Sequence, residues 1–303
     1  MDELERFKNS INLTEFAASR GYSLDRRQSS RSSATMRHPD GDKIIIATSE
    51  SGDWVYFSVR DDHDNGTIID FLQNRGGGSL GNVRKTLRSW LGSARPKIPV
   101  NDYIPQLLPL SHDRQAAFMA WEQAMSRGAT PYLVGRGLGN DLLEKERFAG
   151  RFKIDKRGNA LFPHYDRDGL CGFEIKNKNF TGFSSGGIKG LWYSTCHTTD
   201  RALVFGESAI DVLSYHVLFP DDFTRYMSTG GAMNPQQPAL IRAAMEKMPN
   251  NSFIILAFDK DDGGEKLAEE IKLLVPSGLK VHRPLPSIGK DWNEALKNKL
   301  GLE

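Results

Sequence analysis

At 303 residues, with 39% hydrophobic and 26% charged side chains, the chain has room for about two domains and the make-up of an ordinary globular protein. Its 40 basic and 38 acidic residues leave a net charge of only +2, which argues against a wholly basic nucleic-acid coat or an acidic disordered chain. The two cysteines, Cys171 and Cys196, form no CxxC pair, so a disulfide framework and a cysteine-built zinc ribbon are excluded. The N-terminus has no apolar stretch of signal-peptide type and no run approaches bilayer length; a cytoplasmic location without a membrane partner is expected.

In chain order, Leu4, Phe7, Ile11 and Leu13 recur at helical spacing, predicting helix within 3–20, with Asn12 or Thr14 available to cap a second short segment. Residues 25–37, rich in Ser and Arg, read as an exposed, mobile loop. Strands are expected at 43–48 and 54–59, then helices at 67–73 and 83–91. Four prolines in 93–113 mark a linker. Helices are expected at 114–127 and 131–149, the latter containing the turn Gly135–Gly139, and short strands at 160–165, 170–176 and 190–193. Beyond 201 the pattern becomes strand–helix alternation: strands at 202–205, 224–228, 253–258 and 280–284, helices at 209–218, 238–248 and 265–275. That rhythm predicts an α/β unit, a parallel sheet flanked by helices.

Charge is unevenly spread. Residues 145–190 hold ten Lys/Arg against five acids, whereas 201–303 hold twelve against fourteen. A basic middle beside an acidic end suits a polyanion held next to metal ions. The acids of interest follow the strands, where open α/β sheets place their sites. Glu207 ends the first strand, and Asp259 and Asp261 follow the third in Ala257-Phe258-Asp259-Lys260-Asp261-Asp262-Gly263-Gly264. Two residues apart in extended backbone, the two Asp share a face. Carboxylates gathered there repel unless a cation joins them, and Mg²⁺ is the natural oxygen-seeking partner. The plainer alternative is a solvated turn and helix caps.

These residues carry a resemblance to the TOPRIM domain, the metal-binding fold of bacterial primases, topoisomerases and some nucleases. The runs Gly206-Glu207-Ser208-Ala209-Ile210-Asp211 and Asp259-Lys260-Asp261 resemble its primase version. The resemblance implies Glu207, Asp259 and Asp261 as catalytic and metal-binding residues, holding Mg²⁺ or Mn²⁺, with two ions expected. Gly289-Lys290-Asp291-Trp292-Asn293-Glu294 resembles a further primase segment, making Asp291 either a fourth ligand or the cap of the last helix. Upstream, 159–173 resembles the primase catalytic core. Lys176, Asn177 and Lys178, with Lys189 and Lys260, stand where nucleotide and template contacts are implied, although Glu174-Ile175-Lys176 replaces the Arg expected after the glycines. The first hundred residues keep the frame of a primase zinc ribbon, but Arg60-Asp61-Asp62-His63-Asp64 occupies the knuckle, and His38 and His63 alone cannot build a zinc site. No zinc is expected. The domain is read as a degenerate ribbon that either touches DNA through Arg26, Arg27, Arg31 and Arg37 or is purely structural.

The expected organisation is a small α+β N-terminal domain at 1–95, a linker at 96–113, a mixed primase-core-like subdomain at 114–199 and a TOPRIM domain at 200–303. The implied function is primer synthesis on single-stranded DNA from nucleoside triphosphates, beside a replicative helicase or other replication proteins, in a protein of mobile-element type. A metal-dependent TOPRIM nuclease and a non-catalytic DNA-binding replication factor are the alternatives.

Overall fold

The helical spacing at the start resolves into α1 (Glu3–Ser10) and α2 (Leu13–Ser19) because Asn12 interrupts it. Its side-chain oxygen accepts the backbone N–H of Thr14 at 2.9 Å and of Glu15 at 3.2 Å, a helix N-cap. The computed structural model describes residues 3–49, 52–61, 64–76, 78–92, 98–108, 112–126, 128–178 and 180–302. The chain divides into two units, Met1–Ser111 and His112–Glu303.

In the first unit, β1 (Ser23–Leu24), β2 (Ser33–Arg37), β3 (Lys43–Thr48), β4 (Trp54–Ser58) and β5 (Asn65–Thr67) form an antiparallel sheet in sequence order. Alternation sorts its faces: Ile44, Ile46 and Tyr56 are buried, while Ile45 and Phe57 point to solvent. α1, α2, α3 (Ile68–Gly76) and α4 (Leu80–Gly92) supply Phe7, Phe16, Phe71 and Leu87 to the same core. Two expectations change here. Residues 25–37 are not loop throughout, because Ala34, Thr35 and Met36 are buried in β2, which the surrounding Ser/Arg composition masks. Part of the expected linker packs on this unit: Leu107 is buried, and Asn12 donates to the carbonyls of Ile104 and Pro105 at 2.9 and 3.0 Å.

Where the ribbon resemblance would put metal ligands, the described residues form an ionic hub. Arg75 donates to Asp64 at 2.7 and 2.9 Å, to Asp42 at 3.0 Å and to the Tyr22 hydroxyl at 2.7 Å, and it stacks over Tyr56 and Phe71. His38 pairs with Asp40; His63 lies outside the described residues.

The second unit begins with α5 (Arg114–Glu122), α6 (Pro131–Val134) and α7 (Asn140–Leu143). The turn expected at Gly135–Gly139 separates α6 from α7; Gly137 takes φ +76° there, where a Cβ would lie 2.7 Å from Leu300. β6 (Lys153–Ile154), β7 (Ala160–Asp166), β8 (Gly169–Asn177) and β9 (Phe180–Phe183) form an antiparallel sheet. β10 (Trp192–Tyr193), β11 (Ala202–Gly206), α8 (Ala209–Leu218), β12 (Thr224–Ser228), α9 (Gln237–Glu246), β13 (Phe253–Leu256), α10 (Asp262–Lys272), β14 (Lys280–His282) and α11 (Trp292–Leu300) follow. The second sheet runs β10-β12-β11-β13-β14, parallel except for β10. Every residue of β11 and β12 is buried, as expected for parallel strands covered by helices on both faces. The mixed α/β architecture expected from the sequence is present. Among the described residues, no helix is long and apolar enough to cross a membrane.

Candidate functional site

Parallel register brings the chemistry together. Phe205 of β11 lies level with Met227 of β12 and Leu256 of β13, so the residues after all three strands leave at one edge of the sheet. Gly206 allows the turn after β11: a Cβ there would stand 2.6 Å from Val212. The emerging loops are tied to one another. Gly230 and Gly231 donate to the Glu207 carbonyl at 2.8 and 3.0 Å, and Lys260 N–H donates to the Lys290 carbonyl at 2.6 Å. The N-terminus of α10 folds tightly back, since a Cβ on Gly264 would meet the Asp259 carbonyl oxygen at 2.2 Å.

Glu207, Asp259, Asp261 and Asp291 all lie on these loops. Asp261 caps α10 by accepting Gly264 N–H at 2.9 Å, and Asp291 caps α11 by accepting Glu294 N–H at 2.7 Å. The cap anticipated for Asp291 is therefore real, and its charge also acts on Asp211 and Asp259. Asp211 is a fifth member that the sequence reading did not select. It forms a reciprocal capping box with Ser208, accepting the Ser208 hydroxyl at 2.6 Å and its N–H at 3.1 Å. The spacing Ser-x-x-Asp is the available sequence signal, but it reads first as a helix start.

Electrostatics shows how crowded the cluster is. Burial, then the charges of Asp211, Glu207, Asp291 and Asp261, push the Asp259 carboxyl up to about 8. Burial, with Asp291 and Glu207, pushes Asp211 up to about 7 despite its Ser208 hydrogen bond. Burial and Asp261 also raise Glu207, while Lys176 and Lys290 act in the opposite sense. Asp259 is 9% exposed, and its Oδ1 has no hydrogen-bond partner among the described residues. Oxygen-only donors around an orphaned carboxylate oxygen suit a hard divalent cation. Among the described residues, no group of three His, Cys, Asp or Glu forms a ready-made metal cage. Mg²⁺ does not require one: it commonly uses one or two carboxylates and completes its shell with water and phosphate.

Two supports come from far away in sequence. Arg283, just after β14, donates to the carbonyls of Leu256 (3.0 Å), Phe258 (2.8 Å) and Asp259 (2.8 Å) and to Glu265 (3.2 Å), fixing the backbone that carries Asp259. Glu174 is 4% exposed and bridges His164 at 3.2 Å and Lys176 at 3.1 Å, so the acid standing where an Arg was expected anchors Lys176.

The other expected basic residues are dispersed. Lys189 donates to the Gly230 and Ala232 carbonyls in the loop after β12, at 3.2 and 2.5 Å. Asn177 donates to Asn159 and serves the hairpin, while Lys178 and Lys260 are exposed. Arg26, Arg27 and Arg31 are exposed in the first unit; Arg26 donates to the Asn101 carbonyl at 3.1 Å, and Arg37 pairs with Asp25.

Comparison with known proteins decides the fold family of this site. Residues 204–296 match the family described as Toprim-like. The chain carries a Toprim-like domain. The TOPRIM resemblance is thus borne out across the loops holding Glu207, Asp211, Asp259, Asp261 and Asp291. Residues 131–200, immediately before the Toprim-like domain, match a family described as a protein of unknown function, DUF3991. Among curated proteins, a 65 kDa protein of Zymomonas mobilis is 28% identical over 282 residues, covering 79% of this chain and 45% of that one. A DNA helicase/primase of Enterobacteria phage T3 is 27% identical over 191 residues, covering 61% of this chain and 31% of that one. The chain thus spans less than half the length of these relatives. Among solved structures, the primase fragment of the bacteriophage T7 primase-helicase is 16% identical, covering 93% of this chain and 95% of that one, at a TM-score of 0.40. A chain of a complex of T7 lagging-strand DNA polymerase with primase domains is 22% identical, covering 57% and 87%, also at 0.40.

Proposed function

We propose that the second unit is a primase-like nucleotidyltransferase that makes short primers on single-stranded DNA. The observation that carries this reading is the convergence of Glu207, Asp259 and Asp261, with Asp211 and Asp291, at the carboxyl edge of the parallel sheet. Burial and the neighbouring carboxylates push Asp211 up to about 7 and Asp259 up to about 8. The T3 relative's name, DNA helicase/primase, supports the same reading.

In this proposal Glu207, Asp259 and Asp261 hold divalent ions, Mg²⁺ or Mn²⁺, and the buried Oδ1 of Asp259 is the first oxygen offered. Bound there, such ions supply polarisation of a phosphoryl group and a more acidic attacking hydroxyl. The chain's own residues do the rest. Arg283 keeps the Asp259 backbone in place. Glu174 and His164 hold Lys176 near Glu207, where its charge steadies a phosphate. Asp261 and Asp291 remain oriented by their capping bonds.

The test is primer synthesis on single-stranded DNA with ribonucleotides and Mg²⁺ or Mn²⁺. Wild type is expected to give product and Asp261→Asn to lose it by at least about a hundredfold, the scale of removing a charged group that acts in the transition state. Undiminished product from Asp261→Asn overturns the assignment. One observation favours metal-dependent cleavage as a second reading. Lys176 is committed to Glu174, which leaves less cation for a triphosphate. That reading predicts nicking of plasmid DNA without nucleotides.

A further inference from the structure

A second cleft in the same unit lies away from the carboxylates, against the β10 edge of the parallel sheet. Its volume is about 310 Å³, and it runs between β7, β10 and the C-terminal half of α9. Tyr165 and Tyr193 form one wall, with ring centroids 5.0 Å apart, and Leu240, Ala243 and Met227 line it with apolar groups. The Arg151 guanidinium stacks 4.7 Å from the Tyr193 ring centroid and helps hold that wall.

The charged groups at this cleft sort cleanly. Arg225 is spent on Asp200 at 3.0 Å, and Asp166 is bound on both oxygens by Arg114 at 2.7 and 2.9 Å. Arg167 and Lys247 are exposed on the lining and make no ion pair among the described residues. Two aromatic rings inclined at 50° to one another, an apolar lining and two uncommitted cations match a ligand that is a flat ring at one end and an anion at the other.

We propose that this cleft binds a nucleotide unit, its base against Tyr165 and Tyr193 and its phosphate between Arg167 and Lys247. The inference rests on reading the chain as a nucleic-acid-handling protein, but it does not need the carboxylate cluster to be catalytic. The unit is either a free nucleotide or one residue of a single strand passing the cleft.

Cys196 lines the same cleft and is exposed, whereas Cys171 is buried, so a maleimide reports on this site alone. The experiment follows the rate of Cys196 modification in the full chain, without metal, alone and with saturating ATP or a thymidine 20-mer. Oligonucleotide binding is read separately by fluorescence anisotropy. At least about fivefold slowing by the 20-mer alone assigns the cleft to a strand, and the same slowing by ATP assigns it to a free nucleotide. The double variant Arg167→Glu, Lys247→Glu is expected to abolish the protection, and Tyr193→Ala to weaken the protecting ligand by about tenfold. An unchanged modification rate under conditions where the 20-mer is bound, with no effect of ATP, overturns the proposal. So does protection that survives the double charge reversal. Because the readout is thiol protection rather than primer synthesis, its failure is distinguishable from failure of the catalytic reading.

Discussion

Replacing Asp259 with Asn removes one charge from the crowded edge and should stabilise the protein when no divalent ion is present. The displacement of its carboxyl from 3.8 to about 8 corresponds, at 1.36 kcal/mol per pH unit, to a penalty on the charged form of roughly 6 kcal/mol. That value is an upper bound on what the substitution returns. The folded state holds this proton more tightly than the unfolded chain, so the contribution of Asp259 to stability is full below about pH 4 and falls as pH rises towards 8. Asp211, raised to about 7, adds to the loss over the same interval. In EDTA at pH 8, Asp259→Asn is expected to melt about 5–10 °C above wild type, and at pH 4 the two should coincide. Millimolar Mg²⁺ should raise the wild-type melting temperature at pH 8 and leave the variant nearly unmoved. Differential scanning calorimetry across pH reads all of this. A wild-type curve flat between pH 5 and 8, or a variant no more stable than wild type at pH 8, refutes the reasoning.

Substitutions at three further positions probe the supports. Glu174→Ala strands His164 and Lys176 and should cost about 3–5 kcal/mol in denaturant unfolding. Burial alone would raise the Glu174 carboxyl, but His164 and Lys176 hold it below its usual 4.5. Wild type should therefore lose stability as pH falls below about 4.5, and Glu174→Gln should lose less over that range. Arg283→Met leaves the Leu256, Phe258 and Asp259 carbonyls without their donor. Weaker Mn²⁺ binding by electron paramagnetic resonance is expected, with the first unit's melting unchanged; Mn²⁺ affinity equal to wild type contradicts the positioning role. Arg75→Met should speed hydrogen exchange in β2–β4 and α3, because Asp42 and Asp64 lose their shared partner. Protection unchanged from wild type would show that the hub contributes little.

The sequence made the parallel sheet legible because β-branched and aromatic runs alternate with helices of regular spacing, and Glu207, Asp259 and Asp261 were visible because each directly follows such a run. Asp211 was hidden by a competing local role, since its side chain completes a capping box whatever else it does. Arg283 and Arg75 were hidden because these hydrogen bonds go to residues 11 to 53 positions away, which no local pattern encodes. Glu174 looked like a departure from a basic position. Only its burial against His164 shows that it anchors Lys176. The strand β2 was missed because Ser and Arg outnumber its two core residues, Ala34 and Met36, in the surrounding stretch.

The metal centre itself is best tested by a crystal soaked in Mn²⁺ and measured at the manganese absorption edge. Anomalous peaks between Glu207 and the Asp259 and Asp261 carboxylates, lost in Asp259→Asn crystals, are the predicted result. The absence of any peak at that edge of the sheet at saturating Mn²⁺ would contradict it.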